Sequence, residues 1–407
     1  MAVPVFCCGF ECGVAGTTGQ HLATAGSGTS FDTTTFRTGL RAGRVNVTAT
    51  TGSFQVNGLA ASGTRVVRAY LRFTTLPLVD DVIILGSTPA AASTPCLAFK
   101  ASDSKLYAGT VAAGLITFGA TGVAVTTATW YRVDWRQNAT ANPWLTDAQI
   151  DGTAVGQLSS SIAADATGTT LDIGFTGAIA VTGDMYIDDW IVSNTGADYP
   201  FGGGIVTKHS PNRDGTHTTT GTDMLKALGG GAVTVLTTDA YTMVDDATIA
   251  TGTSDFLGMQ TSNALKYCEI GFASSTDTTA GPRAVQVIVG ENRATTAQAN
   301  SKFKINDNGT TQLLWNKATS TVAALTFNTT QYASMIGGGA WTKARFDALF
   351  LRWGYSTDAQ PDVFFQAAMI EAEFSVLSTI AAIMTGAGAF SGPATAFRLT
   401  IPITAAI

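Results

Sequence analysis

Residues 65–73 read Arg-Val-Val-Arg-Ala-Tyr-Leu-Arg-Phe, and they alternate: Val67, Ala69, Leu71 and Phe73 fall on one side, Arg68 and Arg72 on the other. A period of two with one apolar face is the mark of a half-buried β-strand. Residues 130–135 (Trp-Tyr-Arg-Val-Asp-Trp) repeat the pattern, with Tyr131, Val133 and Trp135 on one face and Trp130, Arg132 and Asp134 on the other. Further short runs follow at 82–85, 171–175, 185–187 and 190–192, separated by Gly, Thr and Ser clusters such as 25–30 and 159–170. Short strands with turn signals between them predict a β-sandwich or jelly roll.

Composition agrees. The chain has 407 residues, 44 of them Gly, and only 13% are charged. Glycine together with abundant threonine disfavours helices and suits strands and tight turns. One hydrophobic core rarely grows beyond about 300 residues, so two domains are expected. A connector rich in turn formers, 194–204, places the boundary near residue 200. We therefore expect an all-β chain: two β-sandwich (jelly-roll) domains in tandem, 1–200 and 201–375, then an apolar C-terminal segment, 376–407.

In the second half, 265–272, 283–289, 301–305 and 311–315 suit strands, and Asn306-Asp307-Asn308-Gly309 reads as a hairpin loop because Asn and Gly tolerate positive φ. Pro211-Asn212-Arg213-Asp214-Gly215 reads as a turn, and 223–228 as a helical turn. Residues 341–348 are expected to form a short helix passing into a strand at 349–355. Residues 364–374 have helical propensity but keep one nearly clean apolar face at period two, so a strand is expected. In 376–407 the only charge is Arg398, and Phe397, Leu399 and Ile401 alternate on a short strand. So apolar a segment calls for cover, by its own domain or by a neighbouring chain, which makes these three residues candidates for an assembly contact.

The net charge is −6, with 10 basic and 14 acidic residues up to position 200 and 13 and 15 beyond it. No cluster of Lys and Arg marks a nucleic-acid surface, and no apolar run approaches the roughly 18 residues of a spanning helix, so neither nucleic acid nor membrane is an expected partner. The N-terminus lacks a basic segment followed by a long apolar one, which predicts folding in the cytoplasm. Of the five cysteines, Cys7, Cys8 and Cys12 cluster. They lack the second pair that a zinc site needs and read first as small buried hydrophobes, with a disulfide as the alternative. As the local cluster near the N-terminus they are also candidate docking residues.

Candidate chemistry is sparse. His209 and His217 flank the Pro211–Gly215 turn and read as solvated loop histidines. No nucleophile elbow, phosphate loop or dinucleotide fingerprint is present. Asp80-Asp81, Asp188-Asp189 and Asp245-Asp246 are adjacent pairs, and adjacent strand residues point to opposite faces. They cannot address one sugar ring together unless a bulge intervenes. Trp144, after Asn142-Pro143, is a candidate glycan contact. No catalytic, cofactor or metal residue is assigned, and a non-enzymatic protein acting through its surfaces is expected.

The motifs Leu171-Asp172-Ile173-Gly174 and Met185-Tyr186-Ile187-Asp188-Asp189-Trp190-Ile191-Val192 resemble the closing strands of concanavalin-A-like (laminin-G-like) jelly rolls. Thr129-Trp130-Tyr131-Arg132-Val133, the hairpin Ile150-Asp151-Gly152-Thr153-Ala154-Val155 and the opening Gly9-Phe10-Glu11 extend the resemblance over residues 1–200. In the second half, Pro211-Asn212 with Asp214-Gly215, Ala284-Val285-Gln286-Val287 and Gly338-Gly339-Ala340-Trp341-Thr342 resemble tandem jelly-roll virion proteins of tailed bacteriophages. The resemblance implies a structural component of the virion, assembled in the host cytoplasm. Such a protein would decorate the capsid as a head-fibre type protein or, alternatively, serve as a tail or receptor-binding protein that takes surface carbohydrate. Its expected partners are other virion proteins of the capsid or tail and further copies of itself in a homotrimer or another symmetric homo-oligomer.

Overall fold

The computed structural model describes residues 4–11, 13, 15, 22–59, 62–86, 94–112, 114–138, 144–160, 169–177, 179–218, 224–227, 234–236, 238–245, 256–259, 266–275, 281–293, 301–307, 309–317, 326–332, 339–354 and 363–375. The chain is almost entirely β, with antiparallel sheets stacked as sandwiches.

The two stretches that open the sequence argument lie side by side. The strand Thr64–Thr75 is flanked by Trp130–Asn138 and by Val181–Ser193, so the alternating residues stand in rows across a first sheet. Val67, Ala69, Leu71, Phe73, Val133 and Trp135 all face its core. That core is closed by a second sheet in which Leu171–Thr176 lies between Val82–Gly86 and Gly52–Val56. Aromatic rings fill the gap at one end: Phe6 meets Trp190 edge-on at 5.2 Å and Phe10 meets Phe54 at 5.0 Å. Such pairs add about 0.5–1.5 kcal/mol beyond their area. Gly43 has a steric reason, since a Cβ there would stand 2.5 Å from the Phe10 ring.

The second sandwich repeats the plan with a third sheet centred on Val363–Ser375 and a fourth containing Tyr267–Phe272, Phe350–Gly354 and Ser301–Asp307. Its core holds Phe303, Trp353, Phe365, Ile370 and Phe374. The strand expected at 364–374 is present as Val363–Ser375, and the helix expected at 341–348 is Lys343–Asp347, capped by Thr342 and followed by Phe350–Gly354. The hairpin forms with Gly309 at φ 88. Two expectations are corrected. Met224–Ala227, expected as a helical turn, is a strand paired with Phe256–Met259, because cross-strand pairing overrides the propensity of so short a segment. Pro211–Asp214, expected as a turn, is an edge strand on Tyr267–Phe272, where proline's missing N–H costs little.

The two sandwiches, within residues 4–193 and 204–375, pack into one compact unit. The seam lies on the outward face of the first sheet, where Cys7, Val66 and Ile191 meet Phe201, Val206 and Ala284. The tail from residue 376 onward, including Phe397, Leu399 and Ile401, lies outside the described residues.

Candidate functional site

The outward face of the first sheet carries the charge that its core face excludes. Because Arg68, Tyr70 and Arg72 alternate with the core residues, and Arg132, Asp134 and Arg136 do the same one strand over, polar rows run across the sheet. Asp134 stands opposite Arg68 and Arg132 opposite Tyr70. The second sandwich seals the middle of this face, with a further polar row on each flank.

Under the seal the charges are paired. Arg68 donates to Glu373 at 2.7 Å, with both side chains fully buried. Arg283 donates to both oxygens of the same carboxylate. Burial alone would push Arg68 down, but Glu373 and then Asp189 outweigh it and hold the guanidinium above its ordinary value. Gly204 lies directly beneath this pair, and a Cβ there would meet both the Arg68 guanidinium and the Glu373 carboxylate.

Asp188 and Asp189 use the escape that the sequence reading allowed. The ladder slips between Asp188 and Ile191, and Asp189 adopts φ 50. A bulge of this kind re-aims a side chain. Both carboxylates consequently converge on the 37–38 loop. Asp188 accepts from the amides of Arg37 and Thr38 at 2.8 and 3.1 Å, while Asp189 accepts from the Arg37 guanidinium, the Thr38 hydroxyl and the Val206 amide. Burial, then the neighbouring Asp189 charge, pushes the Asp188 carboxyl well above the usual range. The pair serves to clamp loop and linker.

On one flank lies an open cleft of about 470 Å³, lined by Thr121, Asp147, Gln149, Gln157 and Tyr199 among others. The hairpin from Trp130–Asn138 to Trp144–Ile150 sets Arg136 opposite Asp147, and two hydrogen bonds of 3.0 and 2.6 Å join them. The Arg136 guanidinium stacks 4.5 Å from the centre of the Tyr199 ring. A flat ring, a carboxylate held by arginine and two carboxamides surround a space within the usual range of ligand pockets. Asp147, held in place by Arg136, can still accept hydrogen bonds from hydroxyls. Burial raises the Tyr199 hydroxyl above the ordinary tyrosine range.

On the other flank a row runs Trp130, Arg72, Tyr186, Arg44 across four strands. Tyr186 lies between two guanidinium groups, Arg44 at 5.4 Å and Arg72 at 5.8 Å from its centre. Asp184 holds Arg44 through bonds of 3.0 and 2.8 Å.

The residues singled out in the sequence fare differently. Cys7 and Cys8 are buried within the chain, Cys7 in the seam and Cys8 in the first core; Cys12 lies outside the described residues. Trp144 begins the strand Trp144–Ile150 and pairs with Ser160, but its side chain lies outside the described residues. His209 is not the solvated loop residue expected. It is buried on the strand Gly204–His209, edge-on to Phe346 at 4.8 Å, with Nδ1 2.8 Å from the Ala273 carbonyl. His217 instead accepts from the Glu269 amide. Among the described residues, no three His, Cys, Asp or Glu side chains gather as a metal site would require, and no helix is long and apolar enough to cross a membrane. The sequence reading missed Arg136, Asp147 and Tyr199. The only signal for them was opposite charge at matching distances from the hairpin turn, and it could be read only once that register was known.

No family model matches the sequence, and no curated protein matches it. Among solved structures, the chain is similar to the cellulose induced protein Cip1, with TM-score 0.37 and 14% identity over 47% of this chain and 97% of that one. It is also similar to domain 4 of AbnA, an extracellular arabinanase from Geobacillus stearothermophilus, solved with arabinotriose: TM-score 0.31, 11% identity, 42% of this chain and 84% of that one. A carbohydrate esterase from the Shiga toxin-encoding bacteriophage phi24B gives TM-score 0.32 and 14% identity, covering 42% and 89%.

Proposed function

We propose that this protein is a non-catalytic attachment component on the surface of a tailed-phage particle, and that its first sandwich binds carbohydrate in the Tyr199 cleft. The observation that carries the binding reading is the cleft itself: an aromatic ring beside Asp147, Gln149, Gln157 and Thr121. Sugars are held by this combination, a flat apolar face with polar groups around it for the hydroxyls. The non-catalytic reading is supported by the state of the carboxylates. Glycoside hydrolysis needs two carboxyl groups facing each other across the scissile bond, about 5–9.5 Å apart. Here Asp147, Asp184, Asp188 and Asp189 are each committed to an arginine or to backbone amides. The virion assignment rests on the residue patterns of the two halves described above.

A glycan array probed with the full chain tests the binding reading. Saturable binding to neutral oligosaccharides is expected, weakened about tenfold or more by Tyr199→Ala, as for an aromatic anchor. Gln157 is exposed, so Gln157→Ala should weaken binding without touching the fold. An array without signal, or turnover of any bound glycan, would overturn this reading. Copy number, counted by quantitative mass spectrometry of purified virions, tests the placement: hundreds of copies mean the shell, a handful the tail.

A further inference from the structure

We propose that Arg72 anchors a second site on the same sheet, one that takes a carboxylate-bearing saccharide. Five other arginines at this face have carboxylate partners: Arg37 with Asp189, Arg44 with Asp184, Arg68 with Glu373, Arg132 with Asp134 and Arg136 with Asp147. Arg72 stands in the same rows and has no carboxylate partner among the described residues. Arg72 as a residue is partly buried, and its guanidinium lies over the Tyr186 ring at 5.8 Å. The contrast with Arg44 is direct, since both lie against the same ring and only Arg44 is neutralised. A guanidinium with no carboxylate partner among the described residues is available to an anion, and it meets a carboxylate best, through two parallel hydrogen bonds.

The neighbours specify what carries that carboxylate. Trp130 lies directly across the ladder from Arg72, on the same face, and is half-buried. It supplies a flat apolar wall beside the cation, which suits a pyranose ring bearing an acid group better than a bare anion. The site is also clear of the seam. Arg72 lies four residues along the strand from the sealed Arg68, a distance of about 13 Å. Backbone pairing of three strands sets the spacing of Trp130, Arg72 and Tyr186, so the row is rigid before any ligand arrives. This assignment shares with the Tyr199 cleft the premise that this face meets sugars, but either site can fail alone.

The test is calorimetric titration of the full chain with sialyllactose and digalacturonate, against lactose, galactobiose and inorganic phosphate. At least one acidic sugar should bind, and more weakly as salt rises. Arg72→Gln should weaken that binding tenfold or more, the usual loss for a charge-assisted hydrogen bond of about 1.5–3 kcal/mol. Its melting temperature should move by little, because Arg72 leaves behind only its contact with the Tyr186 ring and no buried carboxylate. Trp130→Ala should weaken the same ligand, which keeps the test open if Arg72→Gln folds poorly. Tyr199→Ala should leave acidic-sugar binding intact; if it abolishes that binding while Arg72→Gln does not, one cleft serves both and the second site is overturned. Absence of acidic-sugar binding, or wild-type binding by Arg72→Gln, also overturns it. Phosphate binding as tightly as the acidic sugars, with Trp130→Ala silent, would mean a plain anion site and would overturn the saccharide assignment.

Discussion

Replacing Glu373 with leucine should cost the folded protein about 3–5 kcal/mol, the range for removing one partner of a buried ion pair. The mechanism is specific. Glu373 is the carboxylate on which Arg68 and Arg283 both converge, and Arg68 is fully buried. Without it, Arg68 loses its direct carboxylate partner and keeps a hydrogen bond to the Asp189 carbonyl at 3.3 Å and the more distant Asp189 charge. The reverse change should be milder, because Arg68→Met leaves Glu373 its partially exposed partner Arg283. The double variant Arg68→Met with Glu373→Leu should recover part of the loss, the part due to the buried Arg68, while Arg283 still lacks its carboxylate. Urea unfolding of the three variants measures this. Calorimetry on Glu373→Leu should also separate the melting of the two sandwiches, because the pair ties the first sheet to the last strand of the third. Equal losses in the two single variants would show that the seam does not depend on Glu373 as described.

The second large effect is on pH dependence. Glu371 lies in the same strand as Glu373, and its Oε1 accepts the Glu11 amide at 3.0 Å across the seam. Burial, then the Glu11 charge, pushes Glu371 up to about 8, against the Gly9 and Glu11 amides and the Lys208 charge. Burial likewise pushes Glu11 up to about 7, against the Leu40 and Arg41 amides that favour its ionised form. Each carboxyl retains one oxygen without a hydrogen-bond partner. Both groups have an ordinary value of 4.5, so between pH 4.5 and 8 the folded chain holds protons that the unfolded chain has released. Stability therefore falls as pH rises through that window, and the full benefit is present only below it. Asp188, also raised, acts in the same direction. One proton held over one pH unit is worth about 1.4 kcal/mol, so a decline of about 3–5 kcal/mol from pH 5 to pH 9 is expected after some relaxation of the seam. Glu371→Gln should flatten the slope and make the protein more stable than wild type at pH 9. Urea midpoints at pH 5, 7 and 9 test this; a wild-type curve that rises with pH would refute it.

Much of the architecture was legible because one physical rule dominates it. A residue's place in a strand sets its face, so 65–73 and 130–135 declared both their core sides and their charged sides. The strand at 363–375 was recovered against its helical propensity for the same reason. Where segments were short the rule weakened: 211–214 and 224–227 are strands only because neighbours offer them a ladder. His209 was misread because sequence proximity to a turn says nothing about the two phenylalanines, Phe346 and Phe374, that fold onto it from far along the chain.

From the amino-acid order alone came the all-β class, the inward and outward faces of the central strands, and the condition under which Asp188 and Asp189 would act together. Tertiary structure decided the rest: the slip in register that meets that condition, the docking of the two sandwiches that buries Arg68 and Glu371, and the pairing of Arg44 with Asp184 while Arg72 has no carboxylate partner among the described residues. The reason is the range of the forces involved. Alternation is imposed by the backbone of each strand locally, whereas pairing of charges and exclusion of water depend on which distant residues arrive opposite, and that is settled only when the sheets dock.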